Sequence, residues 1–239
     1  MERRNRTSIA VIRHLLLLVS ILLFSVSGSA SAQTLTAEKI LLNVKANFDA
    51  VKDYSAMLTA KVDMERLRVP EMKVKIYFKQ PNKFKTESKN TSFLPKNMFD
   101  LNPADLLSKF DATLMGTETA DGKTLYKIRL VTKPEKRKPV RESFVWVDAK
   151  MWTITRLEAF PTEGRKIELD VESAMIDGKF ILPSMISAHF DFDQNADSLS
   201  EKIYSPNRMP KKGSVILKYS DYEVNKGLTD EFFDQKEKK

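Results

Sequence analysis

The chain has 239 residues, 42% hydrophobic and 30% charged, which is ordinary globular composition for one large domain or two small ones. With no cysteine it can have no disulfide framework, thiolate metal site or cysteine nucleophile, and two histidines leave little for imidazole chemistry. The formal charge of +8 is basic without demanding nucleic acid as a partner.

Residues 1–32 differ from all that follow. Arg3, Arg4, Arg6 and Arg13 precede an apolar run over 15–24, and Ala30, Ser31 and Ala32 supply small residues at cleavage positions. This pattern predicts a secretory signal peptide cleaved after Ala32, leaving 33–239 as one domain. About ten strongly apolar residues fall short of the roughly 20 that a membrane span needs. Removing this segment leaves 36 basic and 31 acidic residues, or +5, which favours anionic surfaces or acidic partners. With no cysteine to carry a lipid anchor, the exported product is expected to be freely soluble.

Thr36 is placed to cap a helix whose apolar residues Ile40, Leu41, Val44, Phe48 and Val51 recur at intervals of three and four. From Tyr54 the period becomes two. Ala56, Leu58, Ala60, Val62 and Met64 alternate with polar neighbours, and Met72, Val74, Ile76 and Phe78 do so against Lys73, Lys75, Tyr77 and Lys79. Gln80, Pro81 and Asn82 make a corner before a returning strand. Residues 88–101 have no strand period and read as a loop containing Phe99. Asn102 and Pro103 then open a short helix reaching Phe110, with Leu106, Leu107 and Phe110 apolar.

The remainder reads as strand and turn. Asp121-Gly122 and Asp177-Gly178 are hairpin signals, and residues 148–150 form another turn. Strands are expected over 124–132, 143–147, 153–160, 166–175, 180–192 and 214–224, about nine in all. Residues 193–212 form a long connection and 234–239 a solvated tail. A helix followed by a meander of strands predicts an α+β domain with the helix lying on an antiparallel sheet.

Catalytic constellations are missing. The one histidine after the signal segment, His189, sits in an alternating strand, no G-x-S-x-G elbow occurs, and no P-loop or G-x-G-x-x-G is present. No metal site and no cofactor are expected. A carboxylate pair of the glycosidase kind is set by folding and not by spacing, so it stays open as an alternative. The basic run 133–141 reads as a solvated loop held open by two prolines, the alternative being a patch that meets membrane phosphates or an acidic partner. Nine methionines after the signal segment suit either core filling or a surface that repacks around apolar guests.

Residues 77–87 (YFKQPNKFKTE), 145–158 (VWVDAKMWTITRLE), 178–186 (GKFILPSMI) and 224–234 (VNKGLTDEFFD) resemble the LolA-type outer-membrane lipoprotein carrier family. The resemblance implies an incomplete, unclosed antiparallel β-barrel whose concave apolar face is covered by an N-terminal helix and a short lid helix. It also implies a periplasmic carrier, not an enzyme, that shields lipoprotein acyl chains or another lipid on the way to the outer membrane. An inner-membrane extractor and an outer-membrane receptor would be its partners, with transient membrane contact and a monomeric state. An envelope-stress sensing module on the same fold is the alternative. The expected lipid-binding residues are Leu58, Ala60, Val62, Val74, Ile76 and Phe78, with Phe99, Leu106 and Phe110 as lid. Carriers of this type place an arginine before the Pro-Asn corner; here Gln80 stands there and is the candidate lid contact.

Overall fold

Thr36 starts the first helix as its residue type predicts, its hydroxyl accepting from the Lys39 N–H at 3.3 Å. Helix α1 (Ala37–Ala50) buries Ala37, Ile40, Leu41 and Val44, one stripe at helical spacing. The computed structural model describes residues 35–64, 67–68, 70–87, 103–134, 142–162, 165–192 and 212–234. The signal segment, Phe99, the connection 193–211 and most of the basic run 133–141 lie outside the described residues.

Eleven strands follow: β1 (Asp53–Met64), β2 (Leu67–Arg68), β3 (Met72–Lys79), β4 (Lys83–Thr86), β5 (Phe110–Ala120), β6 (Lys123–Thr132), β7 (Glu142–Asp148), β8 (Ile154–Thr162), β9 (Arg165–Ile176), β10 (Phe180–Phe192) and β11 (Lys212–Val224). Two short helices complete the set among the described residues, α2 (Pro103–Lys109) and α3 (Asp230–Asp234). The strands form one antiparallel sheet in the order β4-β3-β1-β11-β10-β9-β8-β7-β6-β5, with β2 paired to β1. Its end strands β4 and β5 do not pair with each other, so the sheet is an unclosed barrel, as expected. Register shifts within β1, β5, β8 and β10 are bulges, which bend a sheet and increase its twist.

The pairing register shows why the face is continuous. Residues directly opposite each other point to the same side. Val62, Val215, Ala188, Leu169, Leu157, Val145, Ile128 and Leu114 stand opposite one another in turn across eight strands. This row crosses two cores. In one, α1 packs on Ile128, Leu130, Val145, Val147 and Ile154; in the other, residues of β1 and β3 gather with Ile186, Ala188, Val215 and Leu217.

Both Asp-Gly turns form as predicted, Asp121-Gly122 at φ 51° and 73° and Asp177-Gly178 at 52° and 63°. Positive φ at both central residues matches the strand twist of a hairpin. Two strands go beyond the nine expected, β2 and β5. Phe110, assigned to the end of a helix, is instead the first residue of β5. It pairs with Thr132, and the Lys133 N–H donates to Lys109 O at 3.0 Å, which stops α2 at Lys109.

The lysine-rich end of β3 and β4 meets the C-terminal segment. Asp230 of α3 lies 2.7 Å from Lys79 and 3.3 Å from Lys83, Lys85 donates to Phe232 O at 2.6 Å, and Phe232 packs on Tyr77. Hydrogen bonds from Lys79 and Lys83 hold the Asp230 carboxyl below its ordinary value. A carboxyl lowered by folding contributes stability above the ordinary carboxylate range and loses it as pH falls through its folded value. Docking of α3 should therefore persist at pH 6 and loosen in acid below that range. Broadening or shifting of the Phe232 and Phe233 NMR signals would report it, and signals unchanged down to acid unfolding would refute it.

Candidate binding cavity

The helical spacing that buries Ile40 and Val44 also turns Val44, Phe48 and Val51 toward the sheet. Between these residues and the strands lies a cavity of about 160 Å³. Its other walls are Tyr54 of β1, Phe78 of β3, Val171 and Ser173 of β9, Ile181 to Pro183 and Ile186 of β10, and Tyr219 of β11. Pro103, Trp152, Thr153 and Ile154 also line it, and none of its lining residues among the described ones is charged. The volume is below the roughly 300 Å³ at which small-ligand sites begin. It takes part of a chain, and more only if a wall moves.

Aromatic rings build one side. Tyr54 stands opposite Phe78 in the register and stacks on it at 5.2 Å, while Phe48 meets Phe78 edge-on at 5.8 Å. Tyr222 joins Tyr54 to Tyr219, at 5.4 Å and 6.2 Å, and its hydroxyl donates to Pro183 O at 2.7 Å. Burial pushes the phenols of Tyr54, Tyr219 and Tyr222 well above their ordinary value. A phenol that folding holds protonated contributes stability below its unfolded pKa and loses it as pH rises above about 10. Ultraviolet titration should thus show at most three of the six tyrosines ionising reversibly, the others only with a cooperative loss of structure. Smooth ionisation of all six in a folded chain would contradict this burial.

Three side-chain amides hold the mouth of the cavity. The last carbonyls of a helix lack intrahelical partners. Gln80 reinforces this end, its Nε2 donating at 2.9 Å to Phe48 O, which also accepts from the Val51 N–H, and at 2.7 Å to the C-cap carbonyl Val51 O. Asn225 Nδ2 donates to Ala50 O at 3.0 Å, while its Oδ1 accepts from the Lys52 N–H at 2.6 Å. Asn47 Nδ2 ties α1 to the opposite wall, donating to Met151 O at 2.8 Å and Trp152 O at 3.1 Å. Trp152 has φ 53°, a costly conformation for a bulky residue. The Asp148 carboxylate, which accepts from the Lys150 and Met151 N–H groups, holds the turn that presents Trp152.

The expected lipid-binding residues fall in three places. Phe78 lines the cavity. Leu58, Ala60, Val62, Val74 and Ile76 share its face of the sheet but are fully buried in one core, further along β1 and β3. Leu106 and Phe110 pack in the other core, beside α1, so the structure does not bring them over Leu58. Gln80 contacts the C-terminus of α1, the helix over the cavity. Sequence reasoning missed Tyr54, Tyr219 and Trp152. Tyr219 stands opposite Leu58, a proximity only the β1–β11 pairing creates. Among the described residues no cluster of His, Asp and Glu is placed to hold a metal, and His189 is exposed on β10.

No family model matches the sequence, and no curated protein matches it. Solved structures do. A DUF1329 family protein from Desulfovibrio piger is 14% identical with a TM-score of 0.55, the match covering 82% of this chain and 96% of that one. A domain from Vibrio parahaemolyticus named for outer-membrane lipoprotein sorting is 11% identical with a TM-score of 0.56, covering 83% and 97%. A LolA superfamily protein from Nitrosomonas europaea is 13% identical with a TM-score of 0.52, covering 84% and 98%. The chain has the LolA-type fold. In this chain's version of that fold, α1 packs on β6, β7 and β8, and its C-terminal half lines the cavity.

Proposed function

We propose that the protein is a carrier that shields the acyl chains of lipoproteins or another lipid during transfer through the envelope. The observation that carries this reading is the uncharged, largely apolar cavity between α1 and an open antiparallel sheet. An acyl chain in water costs about 0.8 kcal/mol per methylene, so a two-chain lipid does not cross an aqueous space unaided. Transfer from bilayer to an apolar cavity is close to neutral, and a carrier therefore needs no chemistry of its own. The signal segment over 1–32 supports a periplasmic site of action. The likeness to a domain named for lipoprotein sorting supports the same cargo class. Chains longer than the cavity would run on along the face formed by Leu58, Ala60, Val62, Val74 and Ile76, displacing what now buries them. Leu106 and Phe110 would respond through α1, and an inner-membrane extractor and an outer-membrane receptor would load and unload the cargo.

The test is lipid extraction and native mass spectrometry of the protein purified from the envelope, followed by uptake of a fluorescent acyl ester. Bound lipid and saturable uptake are expected. A chain reproducibly empty, unable to take up the probe and co-purifying with an inner-membrane signalling protein would overturn the carrier reading in favour of a sensing module.

A further inference from the structure

Four hydroxyl side chains line the cavity, Tyr54, Thr153, Ser173 and Tyr219, and the two phenols among them stand on the neighbouring strands β1 and β11. Tyr222 spends its hydroxyl on Pro183 O and does not line the cavity. Tyr54 and Tyr219 do line it, and neither hydroxyl has a hydrogen-bond partner among the described residues. Yet no side-chain nitrogen or oxygen among those residues is both sealed and unpartnered. Neither hydroxyl is therefore sealed from solvent, and both side chains line the cavity.

The rest of the lining limits what can sit beside them. Among the described residues the lining holds no Lys, Arg, Asp or Glu, so a carboxylate or phosphate drawn inside would be desolvated with no counter-charge from them. Asn47 already spends its amide nitrogen on the carbonyls of Met151 and Trp152. A plain hydrocarbon satisfies the apolar walls but strips the two hydroxyls of water and gives nothing back, which costs each donor its lost hydrogen bond. A chain that ends in a neutral carbonyl satisfies both requirements, because a carbonyl oxygen has two lone pairs and accepts from two donors. Burial keeps both phenols protonated, so they donate throughout the physiological range.

Resting on the carrier reading above, we infer that the cavity selects acyl chains by their ester or amide carbonyl, with the Tyr54 and Tyr219 hydroxyls donating to its oxygen. The ligand class is then a neutral acyl ester or amide. Free fatty acid and plain hydrocarbon are the poor ligands. A glycerolipid and the acylated end of a lipoprotein share this chemistry.

Displacement of a fluorescent diacylglycerol from the full chain tests it. The competitors are methyl palmitate, an N-palmitoyl dipeptide amide, hexadecane and palmitate, all delivered from cyclodextrin. Ester and amide are expected to displace the probe at roughly tenfold lower concentration than hexadecane or palmitate, the size of two net hydrogen bonds. The better of the two names the source. In Tyr54→Phe/Tyr219→Phe, which keeps both rings, this preference should vanish, with hexadecane displacing the probe at a lower concentration than it needs with the wild type. Tyr222→Phe, which loses the bond to Pro183, should melt lower and keep the preference. A double variant that keeps the preference, or a wild-type protein that binds all four competitors equally, overturns the carbonyl assignment and leaves the carrier standing. A wild-type protein that binds neither the probe nor any competitor overturns the carrier reading itself.

Discussion

Val145→Asp should lose a third or more of its folding free energy. Val145 is 0% exposed at the centre of β7, flanked in the sheet by Ile128 and Leu157, in the core that α1 covers with Ile40, Leu41 and Val44. An aspartate there must either desolvate a charge that has no partner or take up a proton, and such changes cost on the order of 4 to 5 kcal/mol. A domain of this size has about 5 to 15 kcal/mol to lose. Urea melts followed by circular dichroism should show a midpoint lowered by roughly 2 M. Lys75→Ala, on the opposite face of β3 in a loose 3.8 Å pair with Glu223, should stay within about 0.5 kcal/mol of wild type. A Val145→Asp protein melting beside the wild type would mean that α1 does not lie on this face.

Gln80→Glu should loosen the cavity with less effect on the fold. The substitution keeps the shape of the side chain but replaces a donor amide with a carboxylate that faces two carbonyl oxygens, those of Phe48 and Val51. Two hydrogen bonds are lost and a repulsion added, about 2 to 3 kcal/mol. All of it falls on the last turn of α1, which forms a wall of the cavity. At 1.4 kcal/mol per factor of ten, opening of that turn becomes roughly 30- to 100-fold more frequent. Amide exchange at residues 48–53 should accelerate by that order, and release of a bound acyl probe should accelerate with it. Wild-type exchange rates in this variant would show that Gln80 does not hold the helix end.

The parts of the fold legible in the sequence are those with a local physical cause. Thr36 and the spacing of Ile40, Leu41 and Val44 announce α1, the alternation from Ala56 to Val62 announces β1, and Asp-Gly pairs announce two hairpins. β5 hid because its alternation of Phe110, Ala112 and Leu114 ends at a bulge before Gly116, beyond which an exposed polar edge has no pattern to read. The place of β1 between β3 and β11 depends on pairing across more than 150 residues, and no local signal carries that. The cavity follows the same rule. Its walls come from about two turns at the end of α1 and from scattered positions on several strands, so Phe78 is readable as part of an alternating face while Tyr54 and Tyr219 are not. Gln80 was found because resemblance pointed to its position. Its partners, two helix-end carbonyls, follow from the geometry of an amide, which donates where no charge is needed.

Site-directed mapping of the cargo tests the cavity most directly. An acyl ester carrying a diazirine in its chain, loaded into the full-length protein and irradiated, should leave its adducts on Phe48, Val51, Phe78, Val171 and Ile186. Adducts confined to the opposite face of the sheet, around Phe144 and Trp146, or no adduct despite measured uptake, would contradict a lipid held between α1 and the sheet.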